Sequence, residues 1–457
     1  MAETLCDDRP LTLEDLALWF AAGAKPPERF RVGSEHEKFV FHLDDKSPAA
    51  WDGPDGIAAL LNGLRRFSWK GVFEHGAAGE DVIIGLSRGE ANVSLEPGGQ
   101  FELSGAPLSD MHQICEETGQ HLKEAKAVAA ELGLGFLGMG FTPTWTRQEV
   151  PAMPKGRYKI MRVYMPKVGG RGLDMMFRTC TVQANLDFSS EADMIAKFRV
   201  SLALQPIATA LFANSPFTEG KPNGFLSYRA DVWTDTDAER TGLLDFVFEP
   251  GFGFEAYARW AVSVPMYFAK REDRYVDLAG ASFSDFMAGR LPQLPGERAR
   301  MADWVDHVST LFPEVRLKQY LEMRGADAGS WSRLCALPAL WAGILYDEAA
   351  REAAWDLCKT WTAKERRALR ADVARRGLKA RIGRRSVREV AIDMLAIAHE
   401  GLARRERLSA GLVDETGYLT DLEAIAETGV TDAERLLELY HGAWAGDAAR
   451  AWDELAY

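Results

Sequence analysis

The alternation of apolar and polar residues divides the chain into strand-like and helix-like segments. Alternating or β-branched stretches predict strands over residues 29–42, 82–86, 91–104, 135–141, 175–188 and about 315–324. Apolar residues at helical spacing predict helices over residues 10–24, 108–132 and 190–213, with Thr12 as a candidate N-cap of the first. From about residue 337 onward the pattern is almost wholly helical.

These elements predict an α+β fold: a mostly antiparallel sheet with helices packed on one side and a helical C-terminal region attached. The chain has 457 residues, enough for a large core. We expect residues 1–457 to form a single domain. Within it, residues 1–336 form a sheet-containing core and residues 337–457 the helical C-terminal region.

Acidic and amide side chains recur two residues apart on the predicted strands. The stretch GSEHEKF places Glu35 and Glu37 on one strand face, because side chains at i and i+2 of a strand point the same way. On the same reasoning His36 faces away from both. Polar side chains at the same spacing recur in three further segments, which contain Glu96, Gln100, Glu102, Gln183, Glu322 and Arg324.

A polar strand face in water explains any one of these segments. Together they indicate more, because Glu and Gln are poor strand formers and neighbouring carboxylates repel unless a positive charge lies between them. Carboxylate and amide oxygens suit Mg²⁺ or Mn²⁺ better than zinc. Magnesium leaves coordination positions for phosphate oxygens, so the pattern predicts a nucleotide site.

A basic segment, PKGRYKIMRVYMPKVGGRG, supplies complementary charge. Its glycines predict a mobile loop, whose Arg and Lys side chains are suited to substrate carboxylate and to phosphate. A solvated basic loop explains the same residues equally well. The cations are Lys155, Arg157, Lys159, Arg162, Lys167 and Arg171.

A second basic stretch, residues 364–388, carries eleven Lys or Arg. It could contact a partner or a nucleic acid. The interpretation we favour is a solvated helix face with some ion pairs, because the whole chain is acidic.

Composition excludes several classes of function. The formal net charge of −13 argues against a general nucleic-acid binder. The sequence has no apolar run of 18 or more residues, so a membrane span is not expected. The first residues, MAETLCDDRPLTLED, lack an apolar or Arg-rich leader, and the five cysteines are few and scattered. These features predict a protein of the reducing cytoplasm.

Six motifs identify a resemblance. They are GSEHEKF, SLEPGGQFELSGAPL, MPKGRYKIM, MMFRTCTVQANLDF, FANSPFTEGKPNGF and EVRLKQYLEMRGAD. In this order they resemble glutamate–cysteine ligase of the plant and proteobacterial type. The resemblance implies a curved antiparallel sheet around the active site, as in carboxylate–amine ligases related to glutamine synthetase. It implies that ATP, L-glutamate and L-cysteine give γ-glutamylcysteine through a γ-glutamyl phosphate, the first step of glutathione biosynthesis.

The resemblance also implies roles for particular residues. The implied shell for two or three Mg²⁺ ions, with Mn²⁺ possible in their place, is Glu35, Glu37, Glu96, Glu102, Gln183 and Glu322. Arg324 is implied to meet the transferring phosphoryl group. Arg157 and Arg229 match positions that hold glutamate, and Tyr158 and Tyr267 match residues of the cysteine pocket. Lys159, Arg162 and Lys167 are implied to bind ATP phosphates.

Other features depart from the family or leave alternatives open. Cys115 and Cys335 match one redox-regulated pair of plant members, whereas Leu278 and Gln293 stand at the positions of another. In a reducing compartment we expect the first pair to be free thiols. Plant precursors carry a plastid transit sequence that the N-terminus here does not show. A ligase that uses another small amine, and either a monomer or a homodimer, are compatible with the sequence. An inactive ligand sensor is a further alternative, but the sequence argues against it because no metal or phosphoryl position has lost its polar group.

Overall fold

The computed structural model describes residues 9–75, 80–272 and 274–457. Cys6 and most of the N-terminal stretch MAETLCDDRPLTLED lie outside these ranges. The α-helices are α1 (Leu13–Ala21), α2 (Ile57–Leu64), α3 (Met111–Glu131), α4 (Gly156–Val168), α5 (Gly172–Arg178), α6 (Glu191–Leu211), α7 (Tyr228–Val232), α8 (Phe254–Ser263), α9 (Phe283–Met287), α10 (Met301–Ser309), α11 (Trp331–Leu345), α12 (Glu348–Cys358), α13 (Ala363–Arg376), α14 (Val387–Arg405), α15 (Thr420–Thr428), α16 (Asp432–His441) and α17 (Ala451–Glu454). The strands are β1 (Val32–His42), β2 (Lys70–His75), β3 (Asp81–Arg88), β4 (Ala91–Leu95), β5 (Phe101–Ser104), β6 (Leu134–Leu137), β7 (Thr181–Leu186), β8 (Phe217–Thr218), β9 (Lys221–Pro222), β10 (Thr241–Gly242), β11 (Phe268–Arg271), β12 (Arg274–Asp277), β13 (Phe312–Pro313), β14 (Val315–Leu317), β15 (Leu321–Asp327), β16 (Arg381–Ile382) and β17 (Arg385–Ser386).

Within the described ranges, nine strands form one sheet in which every pairing is antiparallel. Its order is β14–β15–β7–β1–β5–β4–β3–β2, and β6 pairs with the far end of β1. The strand β1 is central because its eleven residues are long enough to pair with β5, β6 and β7. The predicted α+β fold is confirmed.

One face of the sheet packs on helices and forms the core. In β7, Val182, Ala184 and Leu186 are fully buried and belong to the largest apolar cluster, together with α6 and α11. The intervening residues Thr181 and Gln183 point to the opposite face, where they line a cavity. The alternation predicted for this segment therefore separates core from site.

Several local predictions were wrong. The segments predicted as strands over residues 91–104 and about 315–324 are each two antiparallel strands joined by a turn. Residues 175–178 belong to α5, and the strand predicted from residue 175 begins at Thr181. The basic segment predicted as a mobile loop is largely the helix α4. Its glycines lie at helix ends, while Tyr158, Met161 and Met165 are buried at helical spacing. The helical spacing of these apolar residues predicts a helix, whereas the glycines alone favoured a loop.

The C-terminal region is helical as predicted, apart from the short β16–β17 hairpin. The predicted division at residues 336/337 stays a prediction, and its boundary falls inside α11. Several arginines of the basic stretch serve the fold rather than a partner. The guanidinium of Arg366 lies 3.4 Å from the Phe248 ring, and Arg370 donates to Glu314 at 2.6 Å.

Cys115 on α3 and Cys335 on α11 form a disulfide, with their Cα atoms 5.6 Å apart. Here the structure differs from the expectation of free thiols, because packing of α11 on α3 brings the two side chains together. A regulatory role for the pair stays a prediction. None of the helices in the described ranges is long and apolar enough to cross a membrane.

Candidate active site

A cavity of about 330 Å³ opens on the polar face of the sheet. Strands β1, β5, β7 and β15 supply one wall, and α4, α5 and the segment from Ser309 to Phe312 supply much of the rest. Its charged lining residues are Glu35, Glu37, Glu96, Glu102, Arg157, Arg229, Arg316, Lys318 and Arg324. Most of the predicted site residues therefore meet in one concavity, although they come from distant parts of the chain.

Strand register places the acidic side chains opposite one another. Glu37 on β1 is directly paired with Glu102 on β5, and Glu35 is directly paired with Gln183 on β7. Directly opposite side chains have Cβ atoms about 4.5–5.5 Å apart, and like charges at that distance destabilise a sheet. His36 points to the other face, where it packs against His121, as the strand pattern predicted.

Burial makes this acidic wall hard to ionise. Burial, and then the charge of Glu322, raise the pKa of Glu35 to about 7. Burial and the neighbouring acids also raise the pKa of Glu37 well above its usual range and that of Glu102 to a lesser degree. Few hydrogen bonds offset the repulsion: Asn185 donates to Glu35 at 2.7 Å, the Thr181 N–H to Glu37 at 2.9 Å and Ser94 to Glu102 at 2.7 Å.

Glu322 has a different environment. It is fully buried behind the cavity surface, and it accepts from Arg316 at 2.8 Å and from Arg324 at 2.9 Å. Lys318 approaches the same carboxylate at 3.3 Å. Burial alone raises its pKa, but these three cations outweigh burial and hold the pKa of Glu322 well below its usual range.

Arg229 lies on α7, with only 2% of its surface exposed. It donates to the carbonyl of Arg324 at 2.9 Å, while its Nε has no hydrogen-bond partner among the described residues. Asp327 organises the loop before α7: it accepts from Ser215 at 2.7 Å and from Ser227 at 2.8 Å. The result is a fixed guanidinium that lines the cavity with a donor unused.

A second cation, Arg157, reaches the cavity from α4. It donates to the Tyr158 hydroxyl at 3.3 Å, and that hydroxyl donates to the carbonyl of Leu95 at 2.6 Å. Glu96 lies 3.5 Å from the same hydroxyl. Buried Lys155 donates to the Leu95 carbonyl at 2.9 Å, and burial followed by the charge of Arg157 lowers its pKa to about 8.

Besides Glu322, four predicted site residues lie outside the cavity lining, as far as the described ranges define it. Tyr267 is buried, with its hydroxyl 3.4 Å from Asp237 and its ring stacked 3.7 Å from the Arg240 guanidinium. The other three, Lys159, Arg162 and Lys167, are exposed on α4. They share this face because the buried residues of α4 occupy the opposite one.

Three residues without a predicted role also line the cavity: Arg316, Lys318 and Tyr320. A signal for them existed. They continue the alternation that runs to Glu322 and Arg324, and Arg316 is directly paired with Glu322 across the β14–β15 hairpin. The prediction included only Glu322 and Arg324 from this segment, although Arg316, Lys318 and Tyr320 follow the same alternation.

Comparison with known proteins identifies the family. The glutamate–cysteine ligase family 2 model matches residues 31–454. The chain belongs to this family. The tobacco chloroplastic glutamate–cysteine ligase is 56% identical over 98% of this chain and 83% of its own length. The Arabidopsis thaliana chloroplastic enzyme is 55% identical over 100% of this chain and 85% of its own.

This membership confirms the predicted enzyme class and reaction: ATP-dependent formation of γ-glutamylcysteine from glutamate and cysteine, the first step of glutathione synthesis. A glutamate–cysteine ligase from Francisella tularensis, solved in complex with AMP, shares the fold. Its TM-score is 0.53 at 10% identity, with 93% of this chain and 89% of that chain covered.

The predicted cytoplasmic location is wrong. The tobacco, tomato and Arabidopsis relatives are all named as chloroplastic. Sparse cysteines indicate a reducing environment without identifying the compartment, and the polarity of a few N-terminal residues does not identify it either.

Proposed function

We propose that the carboxylate-lined cavity carries out the ligation through a γ-glutamyl phosphate. One observation supports this most: Glu35 and Glu37 of β1 and Glu102 of the adjacent strand β5 line the same cavity as the buried guanidinium of Arg229. Such an arrangement is costly for a free protein. It becomes favourable when divalent cations and an anionic substrate enter together.

The donor set fits Mg²⁺ or Mn²⁺, since it consists of carboxylate and amide oxygens. Among the described residues, no three acidic, His or Cys side chains already surround one metal position. Magnesium takes few protein ligands and keeps several waters. We propose Glu35, Glu37 and Glu102 as principal ligands, with Glu96 and Gln183 beside them. Glu322 joins them only if a metal ion displaces the cations that now hold it.

Bound there, the ions would neutralise the acidic wall and withdraw charge from phosphate oxygens. The chain's own residues bind and orient the substrates. Arg229 presents its guanidinium to a carboxylate of glutamate, and Arg157 supplies a second guanidinium in the same cavity. Both lie on walls fixed by hydrogen bonds, so little reorganisation is needed on binding.

The reaction has two displacements. An oxygen of the glutamate γ-carboxylate attacks the γ-phosphorus of ATP, and the bond from that phosphorus to the bridging oxygen breaks to release ADP. The cysteine nitrogen then attacks the acyl carbon, phosphate departs with the C–O electron pair, and the nitrogen's proton passes to the departing phosphate. Charge gathers on phosphoryl oxygens in both displacements, and we propose that Arg324, which lines the cavity, stabilises it.

The acceptor thiol needs an apolar surface. The cavity offers one in Tyr158, Met161, Met175 and Met176. We propose that Tyr158 and these methionines receive the cysteine side chain. Tyr267 is not among the described residues that line the cavity, and its hydroxyl lies 3.5 Å from Met165 Sδ.

The test is an ADP-release assay with glutamate, cysteine, ATP and Mg²⁺, each omitted in turn. Full release should require all four, and γ-glutamylcysteine should appear in equal amount. A panel of other small amines in place of cysteine tests the acceptor. Equal turnover with a different amine would refute the thiol pocket, and ADP release independent of glutamate would refute the γ-glutamyl phosphate.

A further inference from the structure

The charges of the cavity are segregated along the sheet. The acids that lie open to the cavity come from β1, β5 and the β4–β5 turn, which are central. Three cations, Arg316, Lys318 and Arg324, come from the β14–β15 hairpin at the edge. One edge of the cavity is therefore cationic, beside an acidic centre.

The three cations at this edge share one carboxylate, so their positive charge exceeds its negative charge. All three bond to Glu322, and their other hydrogen bonds in the described ranges go to neutral groups such as the Ser309 carbonyl and the Gln183 amide oxygen. The next acid, Glu35, is bonded to the amides of Gln183 and Asn185. Positive charge thus remains available for a ligand with several negative charges.

Arg316 and Lys318 are held very differently. Arg316 donates to the carbonyls of Ser309 and Leu311 at 2.8 and 2.9 Å, so its guanidinium is fixed beside Glu322. Among the described residues, the hydrogen bonds of the Lys318 ammonium are long, 3.2 Å to the Tyr320 hydroxyl and 3.3 Å to Glu322. Its side chain is 22% exposed. Lys318 can leave Glu322 at little cost, because Arg316 keeps that carboxylate neutralised.

We propose that Lys318, supported by Arg316 and Arg324, forms the phosphate-binding edge of the cavity and contacts the ATP phosphates directly. The inference rests on the proposed function and goes beyond it, since the resemblance implied phosphate contacts for Arg324 and for cations of α4 but none for Lys318. A triphosphate needs several cations close together, and a lysine is a mobile point charge well suited to it. The exposed cations of α4 do not line this cavity.

The ligand at this edge could also be a glutamate carboxylate, so the experiment separates the two anions. Lys318→Gln is compared with the wild-type enzyme for the KM of ATP, glutamate and cysteine. We expect the ATP KM to rise about 10- to 100-fold, the loss expected for one charge-assisted hydrogen bond. The other two KM values should change less than about twofold. Calorimetry of ADP binding with Mg²⁺ should show the same loss, and Lys318→Arg should restore part of it.

The controls use the same substitution elsewhere. Lys364→Gln removes an exposed lysine from α13 and should leave every constant unchanged. Lys159→Gln tests α4, and a rise in ATP KM there but not in Lys318→Gln would overturn the proposal. A rise confined to the glutamate KM in Lys318→Gln would also overturn it, and would assign this edge to the amino acid. Wild-type protein that binds ADP but forms no γ-glutamylcysteine would instead refute the proposed function.

Discussion

Glu35→Gln tests whether the acidic wall destabilises the ligand-free protein. The pKa of Glu35 is about 7 in the fold against an ordinary value of 4.5. Between these two pH values the folded state holds a proton that the unfolded chain has released, so stability falls as pH rises. The penalty is absent below pH 4.5 and complete above pH 7. Its upper limit is about 3 kcal/mol.

Solvent screening at the partly exposed carboxylate reduces this to about 1–2 kcal/mol. Glutamine removes the charge and can still accept from Asn185, while the weak 3.3 Å bond from Gln183 is lost at every pH. For 457 residues, about 1 kcal/mol corresponds to about 1 °C in Tm. The Tm of Glu35→Gln minus the Tm of the wild type should therefore be about 1–2 °C larger at pH 8 than at pH 5.

The measurement is differential scanning calorimetry in EDTA at both pH values. Glu90→Gln is the matched control, because Glu90 is exposed at the β3–β4 turn. It should show no pH-dependent difference. If Glu35→Gln shifts Tm equally at pH 5 and pH 8, the charge of Glu35 does not destabilise the fold and the reasoning about the acidic wall fails.

Three further outcomes follow from the same geometry. Glu37→Gln should lower kcat at least about 100-fold in the ADP-release assay with Tm unchanged or raised, and near-normal kcat would contradict its role in metal binding. Arg229→Lys should raise the glutamate KM about 10- to 100-fold, because one ammonium cannot replace a fixed guanidinium; a change confined to the ATP KM would reverse that assignment. Magnesium chloride should raise the wild-type Tm more at pH 8 than at pH 5, and less in Glu35→Gln, since metal binding requires ionised carboxylates. A rise independent of pH would indicate nonspecific binding.

Much of the site was predictable because strand alternation is local. The i, i+2 spacing of Glu35 and Glu37, and the polar series through Gln183, show which side chains share a face. They do not show which strands are neighbours. That Glu37 meets Glu102, and that Arg229 comes from a helix to the same cavity, depends on contacts between residues far apart in the chain.

Where the prediction was wrong or incomplete, partners from elsewhere in the chain decided the outcome. Glycines suggested a loop where Met161 and Met165 bury one side of α4, and the same packing turns Lys159 outward. Tyr267 packs under Arg240 rather than on the cavity wall.

By itself the sequence determined the α+β class, the reaction, and the alternating faces that carry acid and amide side chains, because these follow from spacing along a strand and from long motifs. Only the tertiary structure decided that Glu322 is neutralised by Arg316, Lys318 and Arg324, and that cations collect at one edge of the cavity. The physical reason is that a charge's environment is set by burial and by neighbours distant in sequence, which no local pattern records.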